Sequence, residues 1–131
     1  MARKDEILTW DNVCAFLESF PETVKEPPGR VWGEVVRVAG KPVAFPARNE
    51  RSRPDGYDED EEFLIVKIDK DEREGLLALD PDTFFVTPHY ETYPGVIVRL
   101  ASVDQDELRG LLTDAWRRTV PKRLVRQWEQ E

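Results

Sequence analysis

The sequence predicts an α+β domain: a two-layer sandwich in which an antiparallel five-stranded sheet carries helices on one face, in the order α-β-β-β-α-β-β-α. Three observations predict it. Apolar residues recur at helical spacing near both ends, at Val13, Phe16, Leu17 and Phe20 and again at Leu108, Leu111, Leu112, Ala115 and Trp116. Runs rich in β-branched residues, bounded by Pro and Gly, fill the interval between them. The 131 residues hold no internal repeat and no Gly/Ser linker, so 1–131 reads as a single domain. A chain of that length buries roughly two-thirds of its unfolded surface, enough for a core without disulfide or metal.

The first helix starts after Thr9, a good N-cap, with Trp10 at the upstream edge of its apolar stripe, and Pro21 stops it. Pro21 to Arg30 holds three prolines and a glycine and reads as extended or turning. Val31 to Val38 is the first strand, Ala39-Gly40-Lys41-Pro42 a turn, and Val43 to Ala47 the return strand, with Pro46 near its end because it cannot donate to a ladder. Phe63 to Ile68 is the third strand, with Leu64, Val66 and Ile68 on one face. Between them, Arg48 to Glu62 has three arginines against seven acids and no apolar period, which predicts a charged, mobile hairpin loop of net −4.

Asp69-Lys70-Asp71-Glu72 has capping-box spacing and opens a helix over about 70–79, with Leu76, Leu77 and Leu79 toward the core. Strands follow near Phe84 to Thr87 and Gly95 to Leu100, separated by the proline-bracketed loop 88–94. In the last long helix Asp104 caps, and Val103 and Leu108 form a hydrophobic staple. Pro121 interrupts it, and Lys122 to Glu131 adds a final turn or two.

Composition excludes several function classes. Hydrophobic residues make up 40% and charged residues 35% of the chain, and the net charge is −8, which disfavours a generic clamp on nucleic acid or anionic lipid. No apolar run approaches the roughly 20 residues of a membrane span. The start, MARKDEILTWDN, has no signal-peptide core, and a cytoplasmic monomer is expected. Cys14, the only cysteine, excludes an intrachain disulfide and Cys-rich zinc sites. It lies beside the first apolar stripe with no positive charge nearby in sequence, so an inert thiol is expected. The acids of 58–62 lack the ligand spacing of a calcium loop. No phosphate-binding glycine loop, nucleophile elbow or paired-histidine motif occurs, so the expectation is a protein with no enzymatic activity, metal or cofactor.

Candidate binding residues remain. From Arg109 to Arg126 six bases face one acid, Asp114, a local charge of +5. Of these, Arg117, Arg118, Lys122, Arg123 and Arg126 could contact phosphates. Bases at a helix C-terminus also complement its macrodipole, which is the plainer explanation. Strand parity supplies a second patch: if the even-numbered valines face the helices, Arg37, Lys67 and Arg99 project from the opposite sheet face among Val35, Ile65, Ile97 and Phe85. The 88–94 loop supplies a third candidate, His89, Tyr90 and Tyr93, as a ligand or partner surface. His89 is the only imidazole, with no orienting acid established by the sequence, so a structural role is expected, and an enzyme centred on these three residues is the weakest reading.

The run Phe84-Phe85-Val86-Thr87-Pro88-His89-Tyr90-Glu91-Thr92-Tyr93-Pro94-Gly95-Val96-Ile97-Val98-Arg99-Leu100 resembles the bacterial MmcQ/YjbR family. So do Asp104-Gln105-Asp106-Glu107-Leu108, leading to Asp114-Ala115-Trp116-Arg117, and Ala39-Gly40-Lys41-Pro42. Many members carry Ser-Tyr where this chain has Ala115-Trp116, and its 48–62 loop is longer than usual. The resemblance implies a compact α+β fold related to secretion chaperones and frataxin. It also implies DNA binding through a double-wing motif, which on this chain would need a segregated basic surface. The alternative is a protein-interaction or chaperone-like module using the open sheet face or the 88–94 loop.

Overall fold

The computed structural model describes residues 6–29, 33–49 and 51–130. Its elements are α1 (Trp10–Glu18), β1 (Thr23–Glu26), β2 (Val35–Val38), β3 (Lys41–Pro46), β4 (Phe63–Lys67), α2 (Lys70–Leu79), β5 (Phe84–Phe85), β6 (Gly95–Arg99), α3 (Gln105–Thr119) and α4 (Lys122–Glu129), with one 3-10 turn at Pro88–Tyr90. The α+β class holds, but the sheet has six strands rather than five, in the order β1-β2-β3-β4-β6-β5 with every neighbour antiparallel. The extra strand is β1, inside the segment read as extended or turning. It pairs with β2 from Thr23↔Val38 to Glu26↔Val35. The strand expected over 31–38 is seen as Val35–Val38, and Val31 and Trp32 lie outside the described residues, as do Arg30 and Glu50.

Local chemistry explains most boundaries. Thr9 caps α1: its Oγ1 accepts from the Asn12 N–H at 3.2 Å, and Asn12 Oδ1 accepts from the Thr9 N–H at 3.2 Å, so two orphan donors are satisfied reciprocally. The β2–β3 hairpin turns through Ala39 (φ 50°) and Gly40 (φ 82°), both left-handed as a two-residue primed turn requires. Asp104 caps α3 by accepting from the Glu107 N–H at 3.0 Å. The capping box expected at α2 is absent: Asp69 makes no side-chain cap bond, and Glu72 instead takes Arg118 at 2.7 Å. Leu79, expected in the core, is 86% exposed, because the last residue of α2 has rotated past the stripe that Leu76 and Leu77 lay on the core.

Two apolar clusters hold the sheet, one on each face. The larger joins Val13 and Leu17 of α1 and Leu108, Leu112 and Trp116 of α3 to Val36, Val38, Leu64, Val66, Val96 and Val98. On the opposite face Val35, Phe45, Ala47, Phe63, Ile65 and Ile97 are also buried, beneath Tyr57, Phe85, Tyr90 and Tyr93. That face, expected to be open, is covered by coil. The core sits on both sides of one sheet.

Candidate functional site

The covering of the second face decides the fate of the sheet bases. Lys67 faces Gly95 and Arg99 faces Phe63 across the β4–β6 ladder, so the two sit at its opposite ends, about 13 Å apart along the strand. Arg37 lies on β2, two strands from Lys67 and so roughly 10 Å away. Nor are they free. Arg37 Nε donates to Glu26 Oε2 at 2.9 Å, and Arg99 Nε donates to Glu61 Oε1 at 2.6 Å. The Glu61 hydrogen bond pushes the Arg99 pKa further up, and its guanidinium stacks over Tyr57 at 4.9 Å. Only Lys67 of the three has no ion pair to a described residue.

The 48–62 loop supplies much of the cover. The Tyr57 ring meets Phe63 at 5.2 Å and Phe85 at 5.8 Å, both edge-on. Arg53 lies over Phe63 at 5.2 Å and donates to the Asp58 carbonyl at 2.7 Å. Ser52 is buried, bonded to Asn49, and Thr87 donates to the Arg51 carbonyl. The segment expected to be mobile is thus anchored at several points, with Asp55, Asp58, Glu59 and Asp60 facing solvent. Among the described residues no cluster of three His, Cys, Asp or Glu could hold a metal ion.

The 88–94 loop is placed by a residue the sequence reading missed. Arg73, on α2, is only 8% exposed and meets no carboxylate of a described residue. Its Nη1 donates to the Tyr93 carbonyl at 2.9 Å, the Gly95 carbonyl at 3.2 Å and the Tyr90 carbonyl at 3.4 Å, and Nη2 to the Glu91 carbonyl at 2.9 Å. A rigid five-donor fork suits converging carbonyls in a way a point charge does not. The signal was in the sequence: Arg73 stands three and four residues before Leu76 and Leu77, a charge on an apolar stripe. Gly95 completes the seat, since a Cβ there would lie 2.8 Å from the Tyr93 ring.

So held, the loop presents a packed aromatic ledge. Phe45, Tyr90 and Tyr93 form a triangle with centroids 5.8–6.2 Å apart, and His89 meets Tyr90 edge-on at 4.8 Å. A cavity of about 430 Å³, lined by Phe45, His89, Tyr90, Thr92, Tyr93 and Pro94, opens over it. The structure therefore brings the three loop candidates together and adds Phe45 from β3. Burial raises the Tyr90 and Tyr93 pKa values, which keeps both phenols protonated, and neither hydroxyl has a hydrogen-bond partner among the described residues. His89 is exposed and its imidazole makes no hydrogen bond to a described residue.

The C-terminal bases divide at Pro121. Arg118 reaches Glu72 at 2.7 Å and Asp69 at 3.7 Å, and the Glu72 hydrogen bond raises its pKa. Arg117 pairs with Glu129 at 3.1 Å and lies over Trp128 at 5.2 Å. Both stand at the C-terminus of α3, where a base complements the dipole. Lys122 and Arg123 instead open α4, whose cap position, Pro121, makes no side-chain bond, so the dipole argument runs against them. With Arg126 they are exposed and form no ion pair with a described residue.

Cys14 is 3% exposed, and burial pushes its thiol up to about 11 against the pull of Lys25. A thiol pKa raised by about two lowers the thiolate fraction, so the native chain reacts with a disulfide reagent at neutral pH roughly 100-fold more slowly than the urea-unfolded chain. Equal labelling rates would contradict the placement of Cys14.

A family profile described as YjbR matches residues 18–118. Uncharacterised proteins from Mycobacterium tuberculosis and Mycobacterium bovis are each 31% identical over 120 residues, covering 89% of this chain and 92% of theirs. The crystal structure of a Deinococcus radiodurans protein of domain family DUF419 superposes with a TM-score of 0.63 over 88% of this chain and 80% of that one. At 18% identity that likeness shows the shared fold.

Proposed function

The chain belongs to the bacterial YjbR family, and from that premise we propose that it is a non-enzymatic, monomeric interaction module that takes an apolar segment of a partner polypeptide on the ledge formed by Phe45, Tyr90 and Tyr93. One observation carries the reading: two half-buried aromatic rings, their hydroxyls unpartnered among the described residues, stand on a loop fixed by a buried arginine. Such rings offer large apolar area at low side-chain entropy, and their hydroxyls can meet a partner's backbone. His89, exposed and without an orienting acid, supports binding at the ledge rather than proton transfer. Cytoplasmic placement belongs to the same proposal. No helix among the described residues is long and apolar enough to cross a membrane.

A second reading, duplex DNA binding, is favoured by Lys122, Arg123 and Arg126, the bases on α4 that form no ion pair with a described residue. Three phosphate contacts give a salt slope near −2.7, so raising salt fourfold weakens binding about 40-fold. On a chain of net charge −8, with Arg37, Arg99, Arg117 and Arg118 already facing carboxylates, that small patch makes DNA the lesser reading.

The two part in one comparison. Nuclease-treated pull-downs with wild-type bait should recover a stoichiometric protein partner that Tyr90→Ser/Tyr93→Ser loses and Lys122→Glu/Arg123→Glu/Arg126→Glu keeps. Duplex anisotropy at physiological salt should stay flat for all three chains. A salt-sensitive duplex signal abolished only by the charge reversal would replace the ledge with α4.

A further inference from the structure

On the sheet face opposite the ledge, α4 lies over an aromatic trough. Trp128 stacks on Phe20 at 5.4 Å and on Trp116 at 5.2 Å, and Phe16 meets Phe20 at 5.4 Å. Leu124 and Val125 rest on the same core. The trough is built by α1, α3 and the residues that follow each of them, and its floor is deeply buried: Trp116 0%, Val120 6%, Phe20 8% exposed.

What covers it is held weakly. α4 has eight residues, fewer than an isolated helix needs to persist. It buries none of them fully, whereas α3 buries six. Its start lacks a side-chain cap and carries Lys122 and Arg123 at the positive end of the dipole. Beyond the apolar contacts, the Arg117 pair with Glu129 and its stacking on Trp128 are the polar ties at its far end, all at the surface. The family match stops at residue 118, before α4 begins. The helix exists because it is docked, and it is docked through Leu124, Val125 and the Trp128 indole.

We propose that α4 is a detachable strap over a helix-binding groove on α1 and α3, and that an amphipathic helix of a partner protein, bearing the Leu-Val-x-x-Trp pattern of 124–128, takes its place. The seated α4 defines the chemistry of that partner: two aliphatic side chains and, one turn on, an aromatic anchor that fills the space between Phe20 and Trp116. This is helix-in-groove recognition with the site pre-occupied by the chain itself. The intramolecular strap keeps the groove closed until a competitor of higher affinity arrives.

Two measurements on the 131-residue chain test it. By native-state hydrogen exchange, the amides of 125–129 should exchange roughly 100-fold faster than those of Leu111, Leu112 and Ala115, through a local opening. Exchange of α4 only together with the global unfolding of α3 would overturn the strap. In the second, a fluorescein-labelled peptide of residues 120–131 is titrated into wild type and into Trp128→Ala, whose strap has lost its anchor. The peptide should bind the variant at least about tenfold more tightly than wild type, whose own α4 competes. The same peptide carrying Trp128→Ala should bind neither. A folded Trp128→Ala chain that takes up no wild-type peptide would remove the groove. Should that variant fail to fold, the exchange pattern of the wild-type chain decides alone.

Discussion

Trp116→Ala is expected to lower the unfolding free energy by about 4 kcal/mol, the size of effect that truncating a fully buried aromatic produces. Trp116 is 0% exposed and packs against Phe20 at 5.1 Å and Trp128 at 5.2 Å, so its loss leaves a void at the meeting point of three helices. Its Nε1 donates to the Pro21 carbonyl at 2.8 Å, tying α3 to the end of α1. Pro21 is exposed, so water replaces that bond and the void dominates the loss. Trp116→Phe keeps most of the apolar contact and should lose about 1.5 kcal/mol, a part of it the hydrogen bond. Urea unfolding with an unchanged m-value measures both. A domain of this size has a total stability of about 5–15 kcal/mol, so the alanine chain survives with little margin. An alanine variant within 1 kcal/mol of wild type would mean that the helices close over the gap.

Arg73→Met is expected to lose about 3 kcal/mol. Methionine keeps the length of the stem and removes the donors, so the buried Gly95 carbonyl loses its guanidinium partner and the Tyr93 carbonyl keeps the Gly95 N–H at 2.8 Å. Burying an uncharged stem relieves the desolvation of a guanidinium, including an Nε that has no partner, and this offsets part of the loss. The four hydrogen bonds lost with the fork, one of them to a buried carbonyl, outweigh it. Arg73→Lys should fall between, because one ammonium cannot reach carbonyls on Tyr90, Glu91, Tyr93 and Gly95 together. The readouts are urea midpoint and exchange of the Ile68 amide, which bonds to the Pro94 carbonyl and reports on the seating of the loop. A Met variant as stable as wild type, with that amide still protected, would show that the aromatic ring packing alone holds the loop.

What could be read from the residues depended on whether the signal was periodic. Leu108, Leu111, Leu112, Ala115 and Trp116 all fall on one helical stripe, and all five are buried as that spacing predicts. β1 could not be read this way. Its four residues are Thr, Val, Lys and Glu, the two inward ones, Thr23 and Lys25, are polar, and prolines bracket the segment. Leu79 misled because a stripe says which face is apolar, not where the helix ends upon it. The second apolar face failed for a related reason. Alternation in β4 and β6 placed Ile65 and Ile97 there, but the cover comes from Tyr57, Tyr90 and Tyr93 in irregular loops, which have no period to detect. Parity likewise put Arg37, Lys67 and Arg99 on one side of the sheet. It could not show Glu26 and Glu61 waiting beside two of them, since those partners come from other segments.

The rims of the sheet carry a last consequence. The outermost strands are four and two residues long, and the first runs straight into Pro27 and Pro28. A free strand border is a template on which a neighbouring chain can polymerise, and length and flatness make it dangerous. Here the long, valine-rich strands are confined to the interior of the ladder, and what remains at either margin offers too few unpaired amides to seed a fibril. The short terminal strands thus guard a chain rich in β-branched runs against aggregation.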